Sequence, residues 1–193
     1  MKGAGETRNP SQTFPSTTPA RSLVKSGFYA MMRRATVADI EPITVIYNES
    51  IGEGRLTGDL EPVSIENRRA WYQEHDERYC IFVKVVDGSV VGYVTLSPYR
   101  RGRRAFDGTC EISYYLYSKF RGRGFGAEMI RYALQKAEQS AFRVVVAIVL
   151  SENQRSTGIL TKFGFSTSGI IPKAAEINGD HIDHVYLYRI LGA

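Results

Sequence analysis

The residues best suited to chemistry in this sequence form a short basic glycine loop, Arg121-Gly122-Arg123-Gly124-Phe125-Gly126. Alternating apolar residues predict a strand over residues 111–117 before the loop, and helical periodicity continues after it to residue 140. A loop that joins a strand to a helix N-terminus gathers unpaired backbone N–H groups at the positive end of the helix dipole. Because glycines let an anion approach the main chain without meeting a Cβ, we expect this loop to bind a phosphate or diphosphate.

A dinucleotide loop is the first alternative, since Gly122, Gly124 and Ala127 fit the G-x-G-x-x-G/A spacing. Three features disfavour it. Residues 118–120 separate the glycines from their strand, the strand alternates and carries Glu111, and the loop holds two arginines that a backbone cradle does not need. A P-loop is excluded, because no Lys-Ser/Thr pair follows the glycines.

Read as (Q/R)-x-x-G-x-(G/A), with Arg121, Gly124 and Gly126 in the key places, the loop resembles that of the GNAT superfamily of acyl-CoA-dependent N-acetyltransferases. The resemblance extends over about residues 32–191 and is closest to the phosphinothricin and methionine-sulfone acetyltransferase branch. It implies a mixed α/β fold, with a mostly antiparallel twisted sheet and helices on both faces, and acetyl-CoA as co-substrate. The residues that carry it are Arg34-Ala35-Thr36, Tyr47-Asn48, Glu61-Pro62, Trp71, Arg100, Ala105-Phe106, Thr109, Glu111, Asn153, Gly164-Phe165 and Asp183.

The resemblance implies a role for each residue of the candidate site. Glu111 matches the family's general base; from its position alone, a solvated carboxylate paired with an arginine is the alternative. Asn153 matches the asparagine that bonds the pantetheine arm, and its position alone predicts a helix N-cap. The main chain of Tyr114, Tyr115 and Leu116 is expected to pair with that arm as an added strand would. The residues expected at the diphosphate are Arg121, Gly122, Arg123, Gly124, Phe125, Gly126 and Ala127.

Amide formation from a thioester requires a held donor, a neutral amine and stabilisation of the oxyanion. The sequence has no nucleophile elbow and no convincing Cys/His pair, so we expect direct transfer in a ternary complex. Leu160 occupies the place where the family often has a tyrosine, and this branch a histidine, as the acid for the departing thiolate. Because a thiol has a pKa of about 8.5, the thiolate leaves without full protonation, and no general acid is assigned.

A cluster of arginines is the candidate site for the acceptor, since arginine forks match carboxylates. This branch uses an arginine at the place of Arg100, and Arg103 is the second candidate; a solvated basic loop is the alternative. The expected acceptor is a small amine that carries a carboxylate. Other acceptors to consider are a protein N-terminus, a polyamine or an aminoglycoside, although the arginines would repel polycations. Outside enzymes, the alternative is a non-catalytic acyl-CoA sensor.

Composition limits the remaining function classes. The 193 residues, 43% hydrophobic and 23% charged, predict one globular domain over residues 31–193, preceded by a disordered or loosely attached tail over residues 1–30. Cys80 and Cys110 are too few for a disulfide framework or a zinc site, which fits a cytoplasmic protein, and we expect no metal. No apolar run is long enough to cross a bilayer.

The net charge of +5 suggests nucleic acid as a possible partner. The basic clusters lack interleaved aromatic residues, however, so no nucleic-acid partner is expected. A homodimer is a candidate assembly.

The same patterns predict the other elements. Helices should begin at Thr36 and Ser64, and Asp87-Gly88 should form a type I′ hairpin turn. Residues 51–60 should be a loop over the acceptor pocket. The remaining predictions are a strand buried on both faces over Val144–Leu150, a helix over 153–163, and strands over 165–171 and 185–190.

Overall fold

The computed structural model describes residues 29–192, so the predicted tail lies outside the described residues except for Tyr29 and Ala30. In this range the elements follow in the order β1 (Ala30–Arg34), α1 (Ile40–Gly52), α2 (Ile65–Gln73), β2 (Ile81–Val86), β3 (Ser89–Pro98), β4 (Thr109–Leu116), α3 (Phe125–Gln139), β5 (Val144–Leu150), α4 (Gln154–Lys162), β6 (Ser166–Ile177) and β7 (Asp180–Ile190). Single 3-10 turns lie at Val37–Asp39, Arg104–Phe106 and Ser118–Phe120.

The strands form a single mixed sheet in the order β1-β2-β3-β4-β5-β7-β6. Five of the six strand pairs are antiparallel, and β4 with β5 is the parallel pair. A parallel pair needs a crossover connection, and α3 supplies it. The fold therefore confirms the predicted mixed, mostly antiparallel α/β sheet, and its single parallel pair lies at the centre.

Helices cover both faces of the sheet, which produces two hydrophobic cores. On one face α1 contributes Ile43 and Ile46 to a cluster with Val83 and Tyr93. On the other face α3 buries the residues that its periodicity predicted: Met129, Ile130, Ala133, Leu134 and Ala137. Because both faces are covered, all six residues of β2 are buried.

Turns and caps fix the ends of these elements as their residue types predict. Asp87 and Gly88 have φ of 47° and 79°, which is the type I′ geometry expected between β2 and β3. The hydroxyl of Ser64 accepts a hydrogen bond from the N–H of Asn67 at 3.1 Å and caps α2. At Thr36 the backbone N–H donates to the Asp39 carboxylate at 2.7 Å, although a 3-10 turn precedes α1 there.

The sheet extends beyond the predicted strands at both edges. β1 was not predicted, because its sequence alternates poorly, yet it pairs with residues 82–86 of β2. β6 and β7 are 12 and 11 residues long. The pairing of β6 shifts register after Thr167 and again after Ile171, so bulges break the alternation from which its length could be read.

Candidate active site

The two parallel strands separate partway along their length. β4 pairs with β5 only between residues 109–111 and 144–146. Beyond Glu111, β4 stays paired with β3 as far as Leu116, while β5 stays paired with β7 as far as Leu150. One edge of β4 is therefore free, as the predicted pairing with an extended ligand requires.

A cleft of about 980 Å³ opens beside this free edge. Its walls come from the end of β4, the glycine loop, the start of α4 and the segment after α1. The site residues that line it are Tyr114, Tyr115, Leu116, Arg121, Gly122, Gly124, Gly126, Ala127 and Asn153. The segment after α1, which was predicted to lie over the acceptor, contributes Glu53, Arg55 and Leu56 to the same cleft.

Backbone direction alternates along β4, which decides which residues can pair with a ligand. The N–H of Tyr117 donates to the carbonyl of Val91 on β3 at 3.0 Å. By alternation the main chain of Tyr115 also faces β3, whereas that of Tyr114 and Leu116 faces the cleft. The Leu116 carbonyl accepts a hydrogen bond from Arg121 at 3.2 Å, in agreement with this direction. Of the three predicted residues, Tyr115 meets the cleft through its side chain.

The glycine loop presents unpaired N–H groups to the cleft. Gly122 and Gly124 have φ of +77° and +85°, a backbone region that favours glycine. Gly124 precedes α3 and offers no side-chain cap, and the first bond within the helix runs from the N–H of Glu128 to the Gly124 carbonyl at 3.1 Å. The N–H groups of residues 125–127 therefore have no partner within α3, and they lie at the positive end of its dipole.

The side chains of the loop mainly hold it in place. Arg121 donates to Glu53 at 2.7 Å as well as to the Leu116 carbonyl, so it ties the loop to the end of α1. Phe125 is buried with Val86 and Val91 and anchors the start of α3. The Arg123 guanidinium lies 5.3 Å from the centre of the Phe120 ring.

Asn153 caps α4 as its position predicted, because its side-chain oxygen accepts from the N–H of Ser156 at 3.1 Å. Within residues 29–192 no acceptor bonds its amide nitrogen, which leaves a donor at the cleft wall. The Ser156 hydroxyl lies 2.7 Å from that of Tyr114, a pairing that the sequence did not reveal. Burial raises the pKa of Tyr114 to about 12. Leu160 is fully buried in the core beneath, consistent with a site that has no acid at that place.

Glu111 lies at the point where β4 and β5 separate. It is half-buried, and burial raises the pKa of its carboxyl group, while the charge of Arg100 lowers it in part. No hydrogen bond to this carboxylate comes from the described part of the chain. Glu111 is directly opposite Ser97 on β3, and the Ser97 hydroxyl lies 3.2 Å from Nε2 of His75. Burial lowers the pKa of His75, which favours the neutral imidazole beside the candidate base.

His75 was predicted only as the end of α2, and no sequence spacing connects it with Glu111. It reaches this position because Ser97 and Glu111 are register partners on neighbouring strands. The predicted acceptor arginines lie further out. Arg100 is exposed, with its guanidinium 5.0 Å from the Tyr99 ring, and it lines a second cavity of about 240 Å³ with Phe106.

Arg103 is also exposed, and the structure gives its side chain no hydrogen bond or ion pair within residues 29–192. Its backbone N–H donates to the carbonyl of Arg100 at 3.2 Å. The structure therefore brings Arg100, but not the side chain of Arg103, into electrostatic contact with Glu111.

A buried lysine beneath the glycine loop was also missed. Lys84, on β2, is 2% exposed and forms an ion pair with Glu128 in the first turn of α3. Its ammonium group lies 5.0 Å from the centre of the Phe125 ring. A lone lysine within an apolar strand sequence gives no signal of burial, because its partner lies 44 residues away.

Residues 29–192 contain neither a cluster that could hold a metal ion nor a helix that could span a membrane. In this range no three His, Cys, Asp or Glu side chains are grouped closely enough to hold a metal ion. No helix in the same range is long and apolar enough to span a membrane.

A central sheet that opens between two parallel strands, with an amide-lined loop at the mouth of the cleft, defines a class of transferase that binds a long phosphorylated carrier. Comparison with known families identifies the class: residues 30–166 match the acetyltransferase (GNAT) domain, and the chain belongs to the GNAT acetyltransferase family.

Similar proteins cover almost the whole described range. YwnH of Bacillus subtilis strain 168 is 32% identical over 161 residues, or 83% of this chain and 98% of that protein. The L-methionine sulfoximine/L-methionine sulfone acetyltransferase of Pseudomonas aeruginosa strain PAO1 is 31% identical over 160 residues, or 82% of this chain and 92% of that protein. Among solved structures, the phosphinothricin acetyltransferase of Sinorhizobium meliloti in complex with AcCoA has a TM-score of 0.79 and 28% identity, and the match covers 84% of this chain and 89% of that one.

Proposed function

We propose that this protein transfers an acetyl group from acetyl-CoA to the primary amine of a small acceptor that bears a carboxylate, such as an amino acid or an analogue like phosphinothricin or methionine sulfoximine. The observation that carries the proposal is the free edge of β4 beside a cleft that ends at the unpaired N–H groups of α3. The relatives named for phosphinothricin and methionine sulfone acetylation support the acceptor class.

The cleft offers partners for each part of acetyl-CoA. Its pantetheine arm carries amides that would pair with the main chain of Tyr114 and Leu116, as an added strand does. Asn153 would donate its amide N–H to the same arm. The diphosphate would lie at the start of α3, where the N–H groups of residues 125–127 and the helix dipole favour an anion. The co-substrate supplies an activated thioester, and these residues position it.

Glu111 would make the amine nucleophilic. An amine is protonated at neutral pH, and a carboxylate of raised pKa is a better proton acceptor than an ordinary one. Glu111 takes the proton directly or through one water, and the nitrogen lone pair forms the new bond to the acetyl carbon. The carbon–sulfur bond then breaks and its pair of electrons leaves with the sulfur. The nitrogen gives up its second proton, which passes through water to the thiolate, so the products are the neutral amide and the free thiol of CoA. We propose direct transfer, without an acetyl-enzyme.

Arg100 would orient the acceptor, because its charge already acts on Glu111 from the edge of the site. An arginine fork at this place would bind the acceptor carboxylate, with Arg103 as a second positive group nearby. Both buried cysteines are free thiols, which fits a reducing cytoplasmic location. A homodimer remains a prediction.

A panel of amines tests the proposal. Purified protein is mixed with acetyl-CoA and with amino acids, methionine sulfone, phosphinothricin, a polyamine or an aminoglycoside, and free thiol is recorded. We expect thiol release only with amines that bear a carboxylate, and its loss in Glu111→Gln. Tight binding of acetyl-CoA without thiol release from any amine would instead support a sensor.

A further inference from the structure

Arg68, on α2, is a buried cation without an acidic partner in the described part of the chain. The residue is 7% exposed, and its Nε atom is enclosed with no hydrogen-bond acceptor. Its guanidinium lies 4.2 Å from the ring centre of Tyr47 and 4.6 Å from that of Trp71. No ion pair within residues 29–192 includes it. The two aromatic rings hold the charge in place, but they do not neutralise it.

Such a group is costly to the free protein. A guanidinium cannot lose its proton, so burial cannot be relieved by a change of charge. Contacts with aromatic faces recover only part of the lost hydration. The remaining N–H donors therefore favour any oxyanion that can reach them.

Arg68 does not itself line the cleft of about 980 Å³, but two tyrosine rings connect it with that cleft. Tyr47 contacts Tyr115 edge to face, with ring centres 4.9 Å apart, and the Tyr115 side chain lines the cleft. Tyr93 stacks on Tyr115 with ring centres 5.3 Å apart, and its buried hydroxyl also has no hydrogen-bond partner in the described part of the chain. Arg68 on α2 and Tyr93 on β3 therefore both place an unsatisfied donor on the same face of the sheet.

The acidic residue of this cluster, Asp59, bonds to Tyr47, and it forms no ion pair with Arg68 among residues 29–192. Asp59 accepts a hydrogen bond from the hydroxyl of Tyr47 at 2.6 Å, and Thr57 lies 2.9 Å from the same hydroxyl. These contacts keep Tyr47 oriented under Arg68. The Arg68 guanidinium can therefore accept an oxyanion from outside the chain as its partner.

Glu111 and Tyr115 project from the same face of β4, and four residues of strand separate them by about 13 Å. Arg100 acts on Glu111 at one end, and Arg68 acts on Tyr115 at the other. This face therefore has a cation at each end and the candidate base beside one of them. An acceptor that lies along this face could present an oxyanion to either cation.

We propose that Arg68 binds an oxyanion of the acceptor, either its carboxylate or an anionic group on its side chain. The inference rests on the proposed function and makes Arg68 a residue that determines acceptor specificity. It assigns to a buried arginine of α2 part of the recognition that the exposed Arg100 cluster would otherwise provide alone.

The direct test compares Arg68→Met with Arg69→Met, its exposed neighbour on the same helix, which removes the same charge. For phosphinothricin, which carries both a carboxylate and a side-chain phosphinate, we expect Arg68→Met to raise KM by about 10- to 100-fold, while KM for acetyl-CoA stays unchanged. Arg69→Met should match the wild type. An amine that has the sulfone but lacks the carboxylate should show no dependence on Arg68 if the carboxylate is the group bound.

Phosphinothricin distinguishes the two oxyanions. If KM increases more for phosphinothricin than for methionine sulfone in Arg68→Met, the group that Arg68 binds is the side-chain phosphinate. If KM increases equally for both, the group is the carboxylate. An unchanged KM for both in Arg68→Met would overturn the proposal. So would an equal rise in KM for amines that carry no oxyanion at all.

A binding measurement separates this inference from the proposed function. Trp71 is the single tryptophan of the chain, and it contacts Arg68. With CoA present instead of acetyl-CoA, titration with phosphinothricin should change the Trp71 emission in the wild type and in Arg69→Met. Calorimetry should show the weakened binding in Arg68→Met, even if no amine is acetylated.

Arg68→Met should melt at or above the wild-type temperature, because methionine removes a buried unpaired charge. If Arg68→Met does not fold, Arg68→Lys replaces it in the test. Lysine keeps the charge but cannot bind an oxyanion with two parallel N–H groups, so this variant should raise KM less than Arg68→Met does. Wild-type affinity in the folded variant, with loss of affinity in Arg100→Met alone, would contradict a role for Arg68 in binding.

Discussion

Substitution of Gly124 by alanine tests separately how this glycine contributes to the stability of the fold and to the binding of the diphosphate. Gly124 has φ of +85°, and no atom of residues 29–192 lies within 4 Å of the position its Cβ would take. The cost to the fold is therefore one non-glycine residue in the left-handed region, about 1–2 kcal/mol. For a domain of this size, that corresponds to a fall in Tm of roughly 2–8 °C.

The new methyl group would also project at the start of α3, where we place the diphosphate. Loss of one charge-assisted hydrogen bond from the N–H groups of residues 125–127 would cost about 1.5–3 kcal/mol. This weakens CoA binding by roughly 10- to 150-fold, since 1.4 kcal/mol corresponds to about tenfold in Kd. Calorimetry with CoA and thermal unfolding of the same sample give the two quantities.

Gly179 provides the matched control. It has φ of +84° in the turn between β6 and β7, and the space around its Cβ position is open as well. Gly179→Ala should lose as much Tm as Gly124→Ala and bind CoA like the wild type. If both variants lose equal stability and both keep wild-type affinity, the start of α3 does not contact the diphosphate, and the reasoning fails.

Two further predictions follow from buried charges. In Glu111→Gln, kcat should fall by about 100- to 10,000-fold. In the pH–rate profile of the wild type, activity should be lost on the acid side with a midpoint above 4.5, the ordinary pKa of a glutamate, because burial raises the pKa of this carboxyl group. A raised folded-state pKa favours the protonated form on folding, so at neutral pH the glutamine variant should also melt higher. Unaltered turnover and an unaltered pH profile would remove Glu111 from the mechanism. In Glu128→Gln, Lys84 remains buried without its partner, and urea denaturation should show a loss of about 1–3 kcal/mol, whereas Lys84→Met should cost less. Equal stability of wild type and Glu128→Gln would refute the importance of this ion pair.

The elements that sequence reasoning predicted well are those specified by local residues. The Asp87-Gly88 turn, the apolar face of α3 and the N-cap at Asn153 depend on neighbours within a few positions. The seven apolar residues of Val144–Leu150 form β5 with the predicted bounds, because a central strand is covered on both faces.

The features that escaped prediction depend on register and on distant partners. The three-residue pairing of β4 with β5, which creates the cleft, has no signature in either strand alone. His75 meets Ser97 because α2 packs on β3. Arg68 is buried because Tyr47, 21 residues away in the sequence, encloses it together with Trp71 of its own helix. The family resemblance pointed to the glycine loop and to Glu111 as the candidate base, but it indicated neither buried cation.

The central claim is acetyl transfer to the amine of a carboxylate-bearing acceptor bound beside this cleft. Its most direct test is the reaction of acetyl-CoA with L-methionine sulfone, in which free thiol and N-acetylated product are both quantified. We predict one thiol released per acetylated amine, with both rates falling by the same factor in Glu111→Gln. Tight uptake of NADH or FAD with no binding of any CoA species would contradict the claim.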